Sequence, residues 1–367
     1  MKIVLSKALL CEAVLNVSRA VSSKSTILAL EGILLKAQKQ SLSLTGYDLE
    51  LGITTSIEAD VEEEGEIILS ARLFSDMIRR MPSDTISIES DEKLLTRIVS
   101  GAAEYTILGL DPEEFPELPA IVEEGALKIE AQVLRSMIDQ TLFAIAQTDA
   151  KPVHKGSLFE ISEGTLTVVS VDGFRLAMRR EPLADAADQR FVVPGKTLSE
   201  VSKLLGSPEE IIEASVSRKY IVFHIGGYQV ISRLLEGEFL DYRSAIPKES
   251  TTTITISTRS FMDCIERISL LISDKLRSPL KLSFSENTIH ASCSTAIGKA
   301  NDEIACEKKG NDLDMGFNSK YLLDALRACG SDEVLLELTG PLSPMRVVPR
   351  EGDSFLFLVL PVRLKND

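Results

Sequence analysis

The chain has 367 residues, with 40 Lys and Arg against 55 Asp and Glu, for a net charge of −15. At 44% hydrophobic it can bury several cores, and its length suits two or three domains. No apolar run approaches the ~18 residues of a membrane span, residues 1–10 read as strand running into helix rather than a cleaved leader, and the acidity argues on its face against nucleic acid.

In chain order, strand 2–5 leads into helix 6–20, where Leu9, Leu10, Ala13, Val14 and Val17 form an apolar stripe. A polar loop at 22–25 precedes strands 32–37, 41–45 and 49–57, the last pair joined through Gly46-Tyr47-Asp48. Residues 62–65 read as an acidic solvated loop before strand 66–69. Residues 71–89 then spell helix, turn and strand. Leu73, Phe74, Met77 and Ile78 share a helix face, Pro82-Ser83-Asp84 breaks it, and Ile86 and Ile88 alternate as in a half-buried strand. Strands near 94–100 and 104–108 follow, and the Pro- and acid-rich segment 111–119 places a boundary near residue 120.

The same order is then written again. Strand 126–130 and helix 131–146, with Val133, Leu134, Met137, Ile138, Leu142 and Ile145 inward, precede strands 156–161, 165–171, 174–180 and 191–194. Helix 196–205, strands 211–215, 220–225 and 228–234, and a linker near 242–248 complete the second copy. A third runs through strand 252–256, helix 259–271, strands 280–284, 288–293 and 298–306, helix 319–329, and final strands 345–349 and 354–360. Arg72, Lys196 and Lys320 lie 124 residues apart, and Thr45, Ser170 and Ser294 mark equivalent hairpins. A period near 124 is domain-sized. The expected fold is α+β: three copies of two helices packed on antiparallel sheet, spanning 1–120, 121–247 and 248–367.

Little chemistry is written into this pattern. There is no phosphate-cradling glycine loop and no H-E-x-x-H. His154, His224 and His290 lie far apart without acids or cysteines at ligand spacing, so they read as structural, and no metal or cofactor is implied. Cys11, Cys264, Cys293, Cys306 and Cys329 are scattered and odd in number, the usage of reduced thiols in a cytoplasmic protein. Carboxylate runs such as Glu62 to Glu64 read as solvated loops. Charge is unevenly placed: the six helices sum to +5 and the remainder to −20. Either helices merely tolerate Lys and Arg better than strands do, or the helices form a surface that faces phosphates without gripping them.

Across all three copies the chain resembles the bacterial DNA polymerase III beta subunit family. The resemblance is carried by the threefold plan, Val171-Asp172-Gly173-Phe174-Arg175-Leu176-Ala177, Gly237-Glu238-Phe239-Leu240-Asp241-Tyr242-Arg243, the Gly340-Pro341-Leu342-Ser343-Pro344 turn, and the tail Leu360-Pro361-Val362-Arg363-Leu364. It implies a non-catalytic clamp: a head-to-tail homodimeric ring around double-stranded DNA, bound without sequence preference, with no membrane association. The partners implied are the polymerase alpha subunit, the clamp loader and other proteins carrying a short clamp-binding motif.

The pocket for that motif would be walled by Val171, Gly173, Phe174, Arg175, Leu176, Leu240, Leu342, Pro344, Leu358, Leu360, Pro361, Val362 and Arg363. Peptide anchors would bury against Leu176, Leu358, Leu360 and Val362. The resemblance places Lys24, Arg72, Arg79, Arg80, Thr148, Lys151, Lys196, Lys203, Lys320 and Arg327 along the DNA channel. Tyr105, Ile107, Leu270 and Leu271 would form the dimer interface, between edges near 105–108 and 297–304. His154, Leu240 and Ser244 depart from the family's commoner residues, and Lys365-Asn366-Asp367 extend past its usual end. Residue chemistry alone leaves two other readings, an acidic repeat scaffold that never encircles DNA and a hydrolase with a site assembled between copies.

Overall fold

A computed structural model describes residues 1–121, 126–148, 150–183, 186–272 and 278–364. They form two compact units: Met1–Gln132 with Glu200–Leu234, and Val133–Ser199 with Leu235–Asp367.

Seven α-helices are described: α1 (Lys7–Val17), α2 (Ala71–Arg80), α3 (Ala131–Asp139), α4 (Gly195–Leu204), α5 (Tyr242–Ala245), α6 (Thr258–Ser269) and α7 (Ser319–Ala328). Their ends follow local chemistry. The Asn318 side chain accepts from Lys320 N at 3.0 Å and starts α7, the usual service of an N-cap. Pro82, one residue past the α2 C-cap Met81, cannot continue that helix. The long helix expected over 131–146 stops at Asp139. Thr141 donates its hydroxyl back to Met137 O at 2.7 Å, and Leu142–Ala144 tightens into a 3-10 turn.

The first unit holds two antiparallel sheets. One has five strands, ordered Asp60–Glu63, Lys2–Ser6, Thr85–Ser90, Leu95–Ser100 and Ala103–Leu108. The other has eight, Leu127–Glu130, Ile211–Val216, Tyr220–Ile225, Tyr228–Arg233, Leu51–Glu58, Ser41–Tyr47, Gly32–Gln38 and Gly65–Ser70. Leu10, Ala13, Val14 and Val17 of α1 and Phe74 and Ile78 of α2 are buried. Leu9 and Leu73, expected on those inner faces, are exposed instead. The acidic loop expected over 62–65 is largely strand. Asp60–Glu63 pairs with Lys2–Ser6, and Lys2 meets Glu62 at 2.5 Å, so a charged run serves as a polar sheet edge.

The second unit repeats the plan with nine and four strands. The larger sheet runs Gln189–Pro194, Gly156–Ser162, Thr165–Val171, Arg175–Pro182, Phe355–Val359, Met345–Pro349, Glu333–Leu338, Thr252–Ser257 and Glu307–Gly310. The smaller is Gly298–Ala305, Thr288–Thr295, Leu280–Ser285 and Leu313–Phe317. The last of these was not expected from the sequence. Helices α6 and α7 lie between the two sheets rather than on one. A single core joins Phe261, Ile265, Leu322 and Leu326 to Leu336 and Phe357 of the larger sheet and to Phe284 and Phe317 of the smaller. Each such side chain contributes roughly 1.5–3 kcal/mol by leaving water.

A second cluster covers the opposite face of the nine-stranded sheet. Leu158, Val169, Val171, Leu176, Met178, Leu356 and Leu358 are roofed there by Val153, Phe239 and Tyr242. The linker expected over 242–248 therefore contains a helical turn, α5, that buries Tyr242 while Arg243, Ser244 and Ala245 stay exposed. Tyr242 donates to Glu160 Oε2 at 2.6 Å, and Arg243 Nη2 donates to the same oxygen at 2.6 Å. Burial, then the Glu160 contact, push the Tyr242 phenol up to about 12.

A phenol whose pKa rises on folding contributes stability below its unfolded value near 10, and that stability is lost as pH climbs through the folded value. Chemical unfolding measured from pH 9 to pH 12.5 should therefore show stability falling above about pH 10, by up to roughly 2 kcal/mol. Tyr242→Phe should flatten this slope, and an unchanged slope would exclude Tyr242 as its source.

Candidate functional site

The sheets reveal a relation between the repeats that periodicity alone does not show. In each repeat the second strand of the middle hairpin is free to pair outward. Leu51–Glu58 pairs with Tyr228–Arg233, the last strand of the second repeat, and Ile53 faces Val230. Arg175–Pro182 pairs with Phe355–Val359, the last strand of the third, and Ala177 faces Phe357. The remaining hairpin strand, Gly298–Ala305, and the remaining last strand, Ala103–Leu108, are each a sheet edge. Three of the most exposed apolar side chains belong to these edges or their flanks: Leu108 at 72%, Ile297 at 71% and Leu270 at 83%. Tyr105 is also exposed, whereas Ile107 and Leu271 are half-buried.

At the hairpin 171–176, Asp172 Oδ1 accepts from Phe174 N at 2.9 Å and Arg175 N at 3.0 Å. Gly173 sits at φ 90°, a conformation in which a side chain is strained. This turn thrusts Phe174, 59% exposed, onto Tyr321 in a stack with ring centroids 5.9 Å apart. The Phe174 carbonyl accepts from Leu360 N at 2.9 Å, and Val362 N donates to Gly316 O at 2.8 Å, so two backbone bonds dock the tail beside the hairpin. Leu240, Leu342, Leu360 and Val362 present exposed apolar surface, Pro344 and Pro361 are half-buried, and Arg363 is exposed.

The expected pocket walls Arg175, Leu176 and Leu358 are buried. Leu176 and Leu358 face each other across the ladder within the roofed cluster and are almost fully buried. They form a floor beneath Phe239 and Tyr242. Arg175 points inward. Its Nε donates to Asp172 Oδ2 at 2.9 Å and its Nη1 to Asp324 Oδ2 at 2.6 Å. The guanidinium stands 4.5 Å from the Tyr321 ring centroid and 5.5 Å from that of Phe143. Tyr321, Phe143 and Asp324 escaped the sequence reading because their partner Arg175 is remote along the chain, and nothing local marks the pairing. His154, a neighbour of the roof, lies edge-on to Phe239 at 5.1 Å, and burial, then Lys151, lower its pKa. Residues 365–367 lie outside the described residues.

The basic candidates form a second pattern. Arg72 and Arg79, Lys196 and Lys203, and Lys320 and Arg327 are each seven residues apart, so each pair shares one face of its helix. All six are exposed, as are Lys24, Arg80, Thr148 and Lys151. The second member of each pair has an acid three residues earlier. Arg79 meets Asp76 at 2.7 Å, Lys203 meets Glu200 at 2.8 Å, and Arg327 stands 4.0 Å from Asp324 while meeting Glu266 at 2.7 Å. Such pairing moderates each charge. The helices carry attraction with a built-in counterweight.

Cys264 and Cys329 are buried thiols pushed up to about 12, chiefly by desolvation, and so stay protonated. Among the described residues no group of three or more His, Cys, Asp or Glu is placed to hold a metal ion, and no helix is long and apolar enough to cross a membrane.

Helix pairs layered with sheets that run from one repeat into the next, bearing basic pairs at matching positions, define a DNA-clamp fold. The chain belongs to the DNA polymerase III beta subunit family: models of its N-terminal, central and C-terminal domains match residues 1–119, 128–241 and 243–363. The Beta sliding clamp of Bacillus subtilis is 34% identical over 376 residues, covering 99% of this chain and all of that protein. The crystal structure of the B. subtilis DNA polymerase sliding clamp superposes with a TM-score of 0.97 at 33% identity, covering 100% of both chains. A putative DNA polymerase III beta subunit from Eubacterium rectale gives 0.95 at 35% identity, covering 99% of this chain and all of that one. The family's beta subunit is the non-catalytic processivity subunit of the polymerase.

Arg175 is the charge that holds the hairpin to α7. Arg175→Ala strands two acids in a largely buried site and should lower stability by about 3–5 kcal/mol. Arg175→Lys should recover only part, because an ammonium cannot reproduce the fork that reaches both carboxylates. Urea unfolding followed by circular dichroism measures both, and a loss under about 1 kcal/mol for the alanine variant would exclude this role.

Proposed function

We propose that this protein is a DNA sliding clamp and processivity factor: two chains close head to tail into a ring around duplex DNA and tether polymerase to it. The observation that carries the reading is the pair of matched but unpaired sheet edges. Two inter-repeat junctions are made within the chain, and the third lacks a partner that only another copy supplies. Because the two edges differ, the contact is heterologous, and two such contacts close a ring. The domains of the ring are assigned to residues 1–120, 121–247 and 248–367, and the cytoplasm is its setting.

The made junctions predict the register of the missing one. By ladder position Ala300 corresponds to Ile53 and Ala177, and Tyr105 corresponds to Val230 and Phe357. Tyr105 should therefore face Ala300 of the second copy, with Thr106 opposite Lys299 and Ile107 opposite Gly298. Leu271 already lies over Gly298, 3.7 Å from where a Cβ there would stand, so Ile107 and Leu271 would meet. The edges would also cover Leu108, Ile297 and Leu270.

Encirclement needs no base readout. The moderated basic pairs on α2, α4 and α7, with Lys24, Arg80, Thr148 and Lys151, suit weak, salt-sensitive, sequence-blind attraction to phosphates. Polymerase alpha subunit, clamp loader and other partners would dock an extended peptide beside Phe174, Leu240, Leu342, Pro344, Leu360, Pro361, Val362 and Arg363. Val171, Gly173, Arg175, Leu176 and Leu358 support that surface from behind. Two apolar anchors at roughly 1.5–3 kcal/mol each suit a weak, exchangeable site.

Thr106→Cys combined with Lys299→Cys should form a disulfide-linked dimer under mild oxidation, because residues facing each other across an antiparallel ladder have Cα atoms about 4.5–5.5 Å apart. Monomer at micromolar concentration by light scattering, or no cross-link, would sink the ring. Deleting residues 362–367 should leave a folded dimer that binds a fluorescent partner peptide tenfold or more weaker, about 1.4 kcal/mol. Unchanged affinity in fluorescence polarisation would place the peptide site elsewhere.

A further inference from the structure

We propose that the Asp324 carboxylate couples the peptide-docking hairpin to the basic face of α7, so that phosphate held by Lys320 and Arg327 raises affinity for an extended apolar peptide. The proposal rests on the pocket and channel assignments above and adds a link between them.

Asp324 divides its charge between two guanidiniums of different kinds. Its Oδ2 accepts from the largely buried Arg175 at 2.6 Å, and its Oδ1 stands 4.0 Å from the exposed Arg327. Arg327 has a nearer partner, Glu266 at 2.7 Å, and so sits between two acids. On the inner side, Arg175 lies 4.5 Å from the Tyr321 ring, Tyr321 stacks on Phe174, and the Phe174 carbonyl holds Leu360 N. A continuous run of contacts thus leads from a helix face suited to phosphate to the apolar tail.

The sign of the coupling follows from charge. A phosphate near Arg327 draws that side chain outward, and the Asp324 carboxylate is then left to Arg175 alone. In a site this enclosed the attraction between them is weakly screened, so Arg175 is held more firmly under Tyr321. The hairpin and docked tail become better ordered before a peptide arrives, which lowers the ordering cost of binding. Reciprocity requires the peptide to favour duplex binding by the same factor. The equivalent acids are wired differently. Asp76 meets Arg79, and Glu200 meets Lys203 and, at 3.4 Å, Arg19 of the same compact unit. Among the described residues, the helix acid that meets a hairpin arginine is Asp324 of α7.

The test titrates the full-length protein against a fluorescein-labelled extended peptide bearing Leu and Phe anchors, in low salt, with and without a saturating 20-base-pair duplex. The wild type should bind the peptide about fivefold more tightly with DNA present, at the lower end of usual allosteric couplings. Asp324→Asn and, separately, Arg327→Gln should each abolish the difference. Arg327 is exposed, so its variant tests the link even if Asp324→Asn fails to fold. Equal affinity with and without duplex in the wild type would overturn the coupling while leaving the pocket standing. A wild type that binds no peptide would overturn the pocket assignment and the coupling with it. A DNA-dependent gain that survives in Arg327→Gln would show that the route does not run through Asp324.

Discussion

A β-strand at a sheet edge carries a row of unsatisfied backbone donors and acceptors, and this requirement organises the molecule. Each repeat holds a hairpin strand and a last strand that its own sheets leave open. The chain meets the need twice by passing one repeat's hairpin strand to the last strand of the next, at Leu51–Glu58 with Tyr228–Arg233 and at Arg175–Pro182 with Phe355–Val359. A linear chain of three repeats has only two internal junctions. The first and last repeats must keep one edge each, and alongside the charges of Glu104, Lys299 and Glu303 these edges and their flanks expose Leu108, Ile297 and Leu270, apolar surface that charge does not cover. Closure through a second copy is the economical resolution.

The same junction logic explains where the proposed peptide surface lies. At the second junction the hairpin end and the chain's tail lie side by side, tied through Leu360 N and the Phe174 carbonyl. The hairpin turn is rigid because Asp172 satisfies two backbone amides, while Phe174 projects outward. The first junction has the same turn chemistry, Asp48 accepting from Glu50 N and Leu51 N, but Gly52 stands where Leu176 stands in the second. A side chain at Gly52 would collide with Ile231 and press on Leu118 and Tyr47, so that space is already filled. Repeats of one design thus differ in what their junctions can accept.

Charge is arranged with similar restraint. A net charge of −15 hides where the charges lie. Basic residues recur in pairs one face apart on α2, α4 and α7, each with a carboxylate at hand. In the proposed ring, tight phosphate contacts would oppose sliding, and acids beside these residues would keep each contact shallow. The total charge misleads because it averages a mildly basic helix layer with acidic loops and edges.

Much of this was legible in the sequence. The 124-residue spacing of Arg72, Lys196 and Lys320 exposed the repeats, and apolar periodicity with breakers such as Pro82 located the six long helices, because those signals are local. The family resemblance pointed to the tail and hairpin for the same reason: their motifs are short and contiguous. Local signals failed where a residue's fate depends on a distant neighbour. Leu9 and Leu73 look inward by spacing yet are exposed, and the acidic segment 62–65 became mostly strand because Lys2–Ser6 lay open beside it. Arg175, expected at the pocket wall, also forms a largely buried ion pair with Asp324, which is 149 residues away. Periodicity determined that there are three repeats and roughly where their six longer helices lie. Only the tertiary structure decided which strands share a sheet and which hairpin strand and last strand are left at sheet edges, because backbone hydrogen bonds between remote strands are indifferent to side-chain identity and leave no mark in the sequence.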